Sequence, residues 1–177
     1  LGRVLSSLDR AGIDHALIEG VQPNPRADLV YTGIELGRKE KVDFMLAVGG
    51  GSVIDTAKAI AVGIPFAGDF FDFFTGKATP SQALKTAVVL TIPAAGSEGS
   101  NSAVIEKEIN GFIVKNGLSC DFNVPLFSVM NPELTYTLPA YQTACGVTDM
   151  MAHIMERYFT NTRDVDVTDR ICEGLLC

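Results

Sequence analysis

Apolar positions along this chain follow two alternating patterns. Short unbroken apolar runs, the mark of buried strands, alternate with stretches in which apolar residues recur every three to four positions, the mark of helices. Helical spacing covers about residues 3–10 and 27–41. It returns over the Ala-rich stretch 53–62, where Ile54, Ala57, Ile60 and Ala61 recur at helical intervals. Strand-like runs occupy 16–19, 44–48 and 87–92, with further short strands expected at 102–105, 112–114 and 126–130. Pro23-Asn24-Pro25 forms a turn, and Phe70-Phe71-Asp72-Phe73-Phe74, closed by Thr75-Gly76, reads as a partly buried connector. Strands alternating with helices predict parallel β-α units and a doubly wound, Rossmann-like sheet.

After Asn131-Pro132 the pattern changes. Leu138-Pro139 can open a helix, since proline is tolerated in a first turn. Helical spacing then runs from Tyr141 to about Phe159, broken by Gly146, and resumes near Val165. We therefore expect an α/β dinucleotide-binding domain over 1–136 and the start of an all-helical domain over 137–177. The chain opens on a helical pattern with no leading strand and stops inside another, so a fragment of a longer protein is expected.

The junction Gly49-Gly50-Gly51-Ser52 joins the run 44–48 to the helix after it. A strand entering a helix through glycines exposes backbone N–H groups where the helix dipole adds partial positive charge, a setting suited to phosphate. The same residues also serve as a simple tight turn, with Ser52 as N-cap and Asp55 completing a capping-box-like pattern. In doubly wound sheets ligands lie beyond the carboxyl ends of strands. Gly20, Gly49–Ser52 and Pro93–Ser97 all fall at such ends, so three turn segments are expected to converge on one edge.

Composition narrows the function classes. The formal net charge is −7 with no basic run, which argues against nucleic acid and anionic membranes as partners. No apolar stretch is long enough for a transmembrane helix, and the four cysteines lack C-x-x-C spacing. Free thiols and a cytoplasmic setting are expected.

Asp149 and His153 lie four apart, so they share a helix face. A carboxylate and an imidazole at this spacing can hold two positions of a divalent ion, or simply make a surface contact. Glu156 on the same side reads equally as a solvated residue. His15, the other histidine, reads as a surface residue.

The run Gly49-Gly50-Gly51-Ser52-Val53-Ile54-Asp55-Thr56-Ala57-Lys58 resembles the cofactor motif of the iron-containing (group III) alcohol dehydrogenases, as does Thr91-Ile92-Pro93-Ala94-Ala95-Gly96-Ser97-Glu98. Asn131 to Pro139, followed by Gly146-Val147-Thr148-Asp149 and His153, resembles that family's entry into its helical domain. The likeness runs along essentially the whole chain and is greatest to the butanol-dehydrogenase-like, NADPH-preferring branch.

The resemblance implies roles. Gly50, Gly51 and Ser52 would cradle the pyrophosphate, with Asp55 close by. Thr91, Pro93 and Ser97 would line the nucleotide path. Lys115 would contact the cofactor, or else be a solvated loop lysine. Gly20 stands where NAD-specific members tend to carry an acid, which favours NADP over NAD, although the adjacent Glu19 clouds that reading. Asp149 and His153 would be two of four ligands to Fe²⁺ or Zn²⁺, the other two being histidines further downstream. Ala95 replaces a common threonine, and Asn131 replaces a common aspartate while still able to form an Asx-type turn. The implied activity is hydride transfer between NADP(H) and a small primary alcohol or aldehyde, in a protein that is a homodimer when intact. A glycerol-dehydrogenase-like or dehydroquinate-synthase-like relative, and a non-catalytic nucleotide-binding module, are the alternatives.

Overall fold

The computed structural model describes residues 1–177. In chain order the elements are α1 (Gly2–Arg10), α2 (Ala27–Lys39), β1 (Phe44–Gly49), α3 (Gly51–Gly63), α4 (Phe71–Phe74), β2 (Lys85–Leu90), β3 (Ser102–Ile109), β4 (Phe112–Ser119), β5 (Ser128–Val129), α5 (Ala140–Tyr158) and α6 (Asp166–Leu176). The strands β1, β2 and β5 form a parallel sheet in that spatial order. The connection from β1 to β2 runs through α3, giving the expected β-α-β unit.

Helix α3 is apolar almost all round, and such a helix belongs in an interior. Ile54, Ala57, Ala59, Ile60, Ala61 and Val62 are all buried. Helix α2 lies against it through three glycines. A Cβ built on Gly33 would stand 2.3 Å from Ile60 Cδ1, on Gly37 2.4 Å from Ile64 Cδ1, and on Gly63 2.2 Å from Ile34 Cδ1. Isoleucine side chains from each helix thus occupy notches in the other. Arg38 closes the far end of α3. Its Nε donates to Ile64 O and its Nη2 to Gly63 O, both at 2.9 Å, and Nη2 also donates to Phe66 O. A cation there satisfies helix-terminal carbonyls and opposes the helix dipole. The aromatic cluster is buried more deeply than the partly buried connector expected: Phe70, Phe71, Phe73 and Phe74 are core side chains, the last three within α4.

Two sequence expectations are corrected. Residues 16–19 form no strand, because a strand needs a ladder and this segment has no hydrogen-bonding neighbour. Ile18 nevertheless packs on the core. The runs at 102–105 and 112–114 do not join the parallel sheet. They belong to a separate antiparallel hairpin, β3–β4, pairing Ser102 with Ser119 through Ile109 with Phe112. Its two-residue loop has φ of 53° at Asn110 and 81° at Gly111. Left-handed conformations at both positions fit the type I′ turn that Asn-Gly favours.

Beyond the sheet, Asn131 Oδ1 accepts the Glu133 amide at 3.1 Å, the expected Asx-type turn. Helix α5 starts after Pro139 as expected and packs against α6. No helix is long and apolar enough to cross a membrane.

Candidate nucleotide and metal site

Strand β1 ends at Gly49, and α3 begins two residues later. Gly50, not Ser52, is the N-cap, with extended φ of −97° and ψ of −167°. The reason is local: Gly50 O already accepts from Val53 N at 3.0 Å and Ile54 N at 3.1 Å, so the helix starts earlier than a serine cap would allow. Ser52 is the second helical residue, and its carbonyl accepts from Thr56 Oγ1 at 2.8 Å. The capping-box reading of Asp55 falls with it. The amides of Gly51 and Ser52, two of the donors every helix start leaves over, make no hydrogen bond within the chain.

The loop after β2 lies alongside this junction. Thr91 N donates to Gly49 O at 3.1 Å, carrying the β1–β2 ladder one step further. A Cβ on Gly50 would stand 2.3 Å from Ile92 Cγ2, whereas one on Gly51 would meet Ala95 Cβ at an ordinary 3.6 Å. Gly50 is therefore required by packing, and Gly51 is not. This yields a clean pair of probes. Gly50→Ala is expected to destabilise the fold by about 1–3 kcal/mol through overpacking. Gly51→Ala should shift stability by less than about 1 kcal/mol while weakening any ligand that approaches its amide. Denaturant unfolding alongside nucleotide titration separates the two effects.

The other face of the same loop touches α5. At Gly146 an added Cβ would lie 2.9 Å from Pro93 O and 3.8 Å from Ala94 Cβ. The 92–95 segment is thus sandwiched between the start of α3 and α5. Asp149 follows Gly146 by three residues, about 4.5 Å along the helix axis. Its Oδ1 lies 3.8 Å from His153 Nε2, and both side chains are about half exposed. A hard oxygen and an imidazole nitrogen suit Fe²⁺ or Zn²⁺. No third metal-binding side chain joins them in this chain. His15 lies elsewhere, in the segment after α1, with Nδ1 3.3 Å from Ile13 O and 3.9 Å from Asp9 Oδ1.

Asp55 and Ser97 point inward, to each other. Ser97 Oγ donates to Asp55 Oδ1 at 2.6 Å, and Val104 N donates to Asp55 Oδ2 at 3.0 Å. The centre of this network is Lys58, which sequence reasoning did not single out. Its side chain is fully buried. Nζ faces Ser97 O at 2.7 Å, Ser100 O at 2.8 Å, Ser97 Oγ at 3.0 Å and Ser102 O at 3.0 Å. Burial pushes the ammonium down to about 8 and the Asp55 carboxyl up, while the Ser97 and Val104 hydrogen bonds and Lys58 itself pull Asp55 back toward the carboxylate. The signal lay in the sequence: Asp55 and Lys58 are the two charges in the otherwise uncharged α3, and charges on a buried helix need partners.

Gly20 and Lys115 make no hydrogen bond to the Gly50 junction. Gly20 is exposed in a left-handed conformation, φ 88°, with open space where a side chain would be. Lys115 lies within β4 rather than in a loop. Its Nζ donates to Asn24 Oδ1 at 2.8 Å and sits 4.0 Å from Glu106 Oε1. That bond ties the lysine to the turn that follows Gly20.

Residues 1–132 match the family described as iron-containing alcohol dehydrogenase. The chain is 40% identical to the probable NADH-dependent butanol dehydrogenase 1 of Bacillus subtilis strain 168, over 98% of this chain and 44% of that protein. It is 37% identical to the NADPH-dependent aldehyde reductase YqhD of Escherichia coli K12, over 99% of this chain and 45% of that protein. Among solved structures, NADH-dependent butanol dehydrogenase A of Thermotoga maritima superposes with a TM-score of 0.92 at 40% identity, covering 98% of this chain and 43% of that one. The chain thus spans less than half the length of these relatives.

Proposed function

The chain belongs to the iron-containing alcohol dehydrogenase family, and from that membership we propose that it supplies the nucleotide cradle and two metal ligands of an NADP(H)-dependent, metal-dependent oxidoreductase for small primary alcohols and aldehydes. The observation that carries this reading is the sandwiched 92–95 segment. It lies against Gly50 and Gly51 on one side and Gly146 on the other, so the free amides and the Asp149–His153 pair flank a single loop.

In this proposal residues 1–136 hold the nucleotide, and 137–177 begin the lobe that holds metal and substrate. The Gly51 and Ser52 amides donate to the diphosphate, where the α3 dipole favours negative charge. Thr91 and Pro93 shape the wall along which the nucleotide lies. Asp149 and His153 would hold two positions of a divalent ion at the substrate end, where such an ion would supply Lewis-acid chemistry and the nucleotide would supply hydride-transfer chemistry. A catalytic zinc normally takes three protein ligands, so residues 1–177 by themselves should bind nucleotide without turnover.

The names of the relatives point to both NADH and NADPH. Gly20 supports NADP(H) here, because no carboxylate stands at that position to hold ribose hydroxyls and repel a 2′-phosphate. Lys115, bonded to the turn just after Gly20, adds a cation nearby. The test is butyraldehyde reduction by the intact, metal-loaded protein with each nucleotide. The expected result is a higher kcat/KM with NADPH. Gly20→Asp should shift the NADPH/NADH ratio at least about tenfold toward NADH, equivalent to about 1.4 kcal/mol. Equal use of both nucleotides by wild type and variant sinks the assignment, and no turnover with either sinks the function.

A further inference from the structure

We propose that Lys58 is a positioning residue for the nucleotide site, a buried ammonium that locks the loop after β2 against the start of α3. This inference rests on the nucleotide reading given above and extends it to a residue on the buried side of α3. Lys58 is fully buried and surrounded by three carbonyls and a hydroxyl, all contributed by residues 97–102. The same hydroxyl, Ser97 Oγ, donates to Asp55 in the first turns of α3. Asp55 in turn takes the Val104 amide at the start of β3. One ammonium and one carboxylate therefore gather residues 97–104 onto α3.

The segment so held continues directly from the one that walls the nucleotide edge. Ile92 and Ala95 lie against Gly50 and Gly51, and Gly96 turns the chain in a left-handed conformation, φ 71°, immediately before Ser97. Moving residues 97–102 thus drags on residues 92–95 through one short turn. An ammonium suits this task. It is a compact cation with three donors, and a neutral side chain could not hold several carbonyls that would otherwise face one another.

The experiment measures NADPH dissociation constants for the intact protein by fluorescence titration, with hydrogen exchange at the Val104 amide as a second readout. Lys58→Met and Ser97→Ala are each expected to raise the NADPH dissociation constant about tenfold and to speed Val104 exchange. Their kcat at saturating NADPH should change much less than their KM for it. Arg38→Ala, which loosens the opposite end of α3, serves as the control for general instability and should leave NADPH affinity within about twofold. If Lys58→Met does not fold, Ser97→Ala alone decides the matter. Unchanged affinity in a folded variant overturns the inference, as does an equal loss in Arg38→Ala. A wild-type protein that binds neither NADPH nor NADH overturns the nucleotide reading itself, and this inference with it.

Discussion

Replacing Asp149 or His153 by alanine in the intact, metal-loaded protein is expected to lower kcat/KM by at least about 10³-fold, while NADPH affinity stays within about twofold. Lewis-acid polarisation is worth several kcal/mol at the transition state, and each 1.36 kcal/mol is about tenfold in rate. The fold should barely register the change. Both side chains are about half exposed, and the distance between them is 3.8 Å. Exposed pairs at this spacing on a helix contribute only about 0.3–0.5 kcal/mol. The nucleotide should not register it either, because the donors assigned to it belong to the start of α3. Steady-state kinetics, NADPH titration and metal content measured on the same preparations check all three points. Retained turnover in both variants removes the metal assignment, whereas lost NADPH binding would place these residues in the wrong half of the site.

The largest loss of stability is expected at Lys58. Lys58→Met should cost about 3 kcal/mol, measured by urea unfolding. Methionine matches the length of the stem, so the change removes charge and donors more than volume. It leaves the carbonyls of Ser97, Ser100 and Ser102 without this donor, and a buried acceptor left unpaired costs about 1–3 kcal/mol. It also takes the cation away from the buried Asp55 carboxylate. Relief from no longer burying an ammonium offsets part of this loss, so the expected value sits near the lower end for breaking a buried charged network. Asp55→Asn should cost less, about 1–2 kcal/mol, because asparagine can still accept from Val104 while its amide meets a Ser97 hydroxyl already accepting from Lys58. Equal stability for Lys58→Met and wild type would mean that the acceptors find other donors.

The sequence was most legible where structure is local. The Gly49–Ser52 junction, α3, the Asx turn at Asn131 and the helix start after Pro139 all rest on backbone chemistry within a few residues. The strand expected at 16–19 was illegible for the opposite reason: its apolar run is strand-like, but strands are made by partners, and partners are not written in a local pattern. The β3–β4 hairpin was different. Asn110-Gly111 between apolar residues is a strong hairpin signal, so its antiparallel pairing was readable and was missed by following the parallel pattern. At the candidate site, the order of elements put the 92–95 loop beside the start of α3, and the structure adds α5 on its other side. The inward commitment of Asp55 and Ser97 was hidden, because the bonds that define it span about 40 residues of chain.

The isoleucine-filled notches at Gly33, Gly37 and Gly63 restrict how this scaffold can be re-engineered. They pin α3 to its neighbour, so a designer cannot slide or swivel that helix to widen the edge at Gly50. Extra room must come from the opposite wall, where the Ala95 methyl merely rests against Gly51. A mutational scan should therefore favour glycine at the three notches, with alanine tolerated only where the facing isoleucine swings away, and return a broader spread of small residues at position 95.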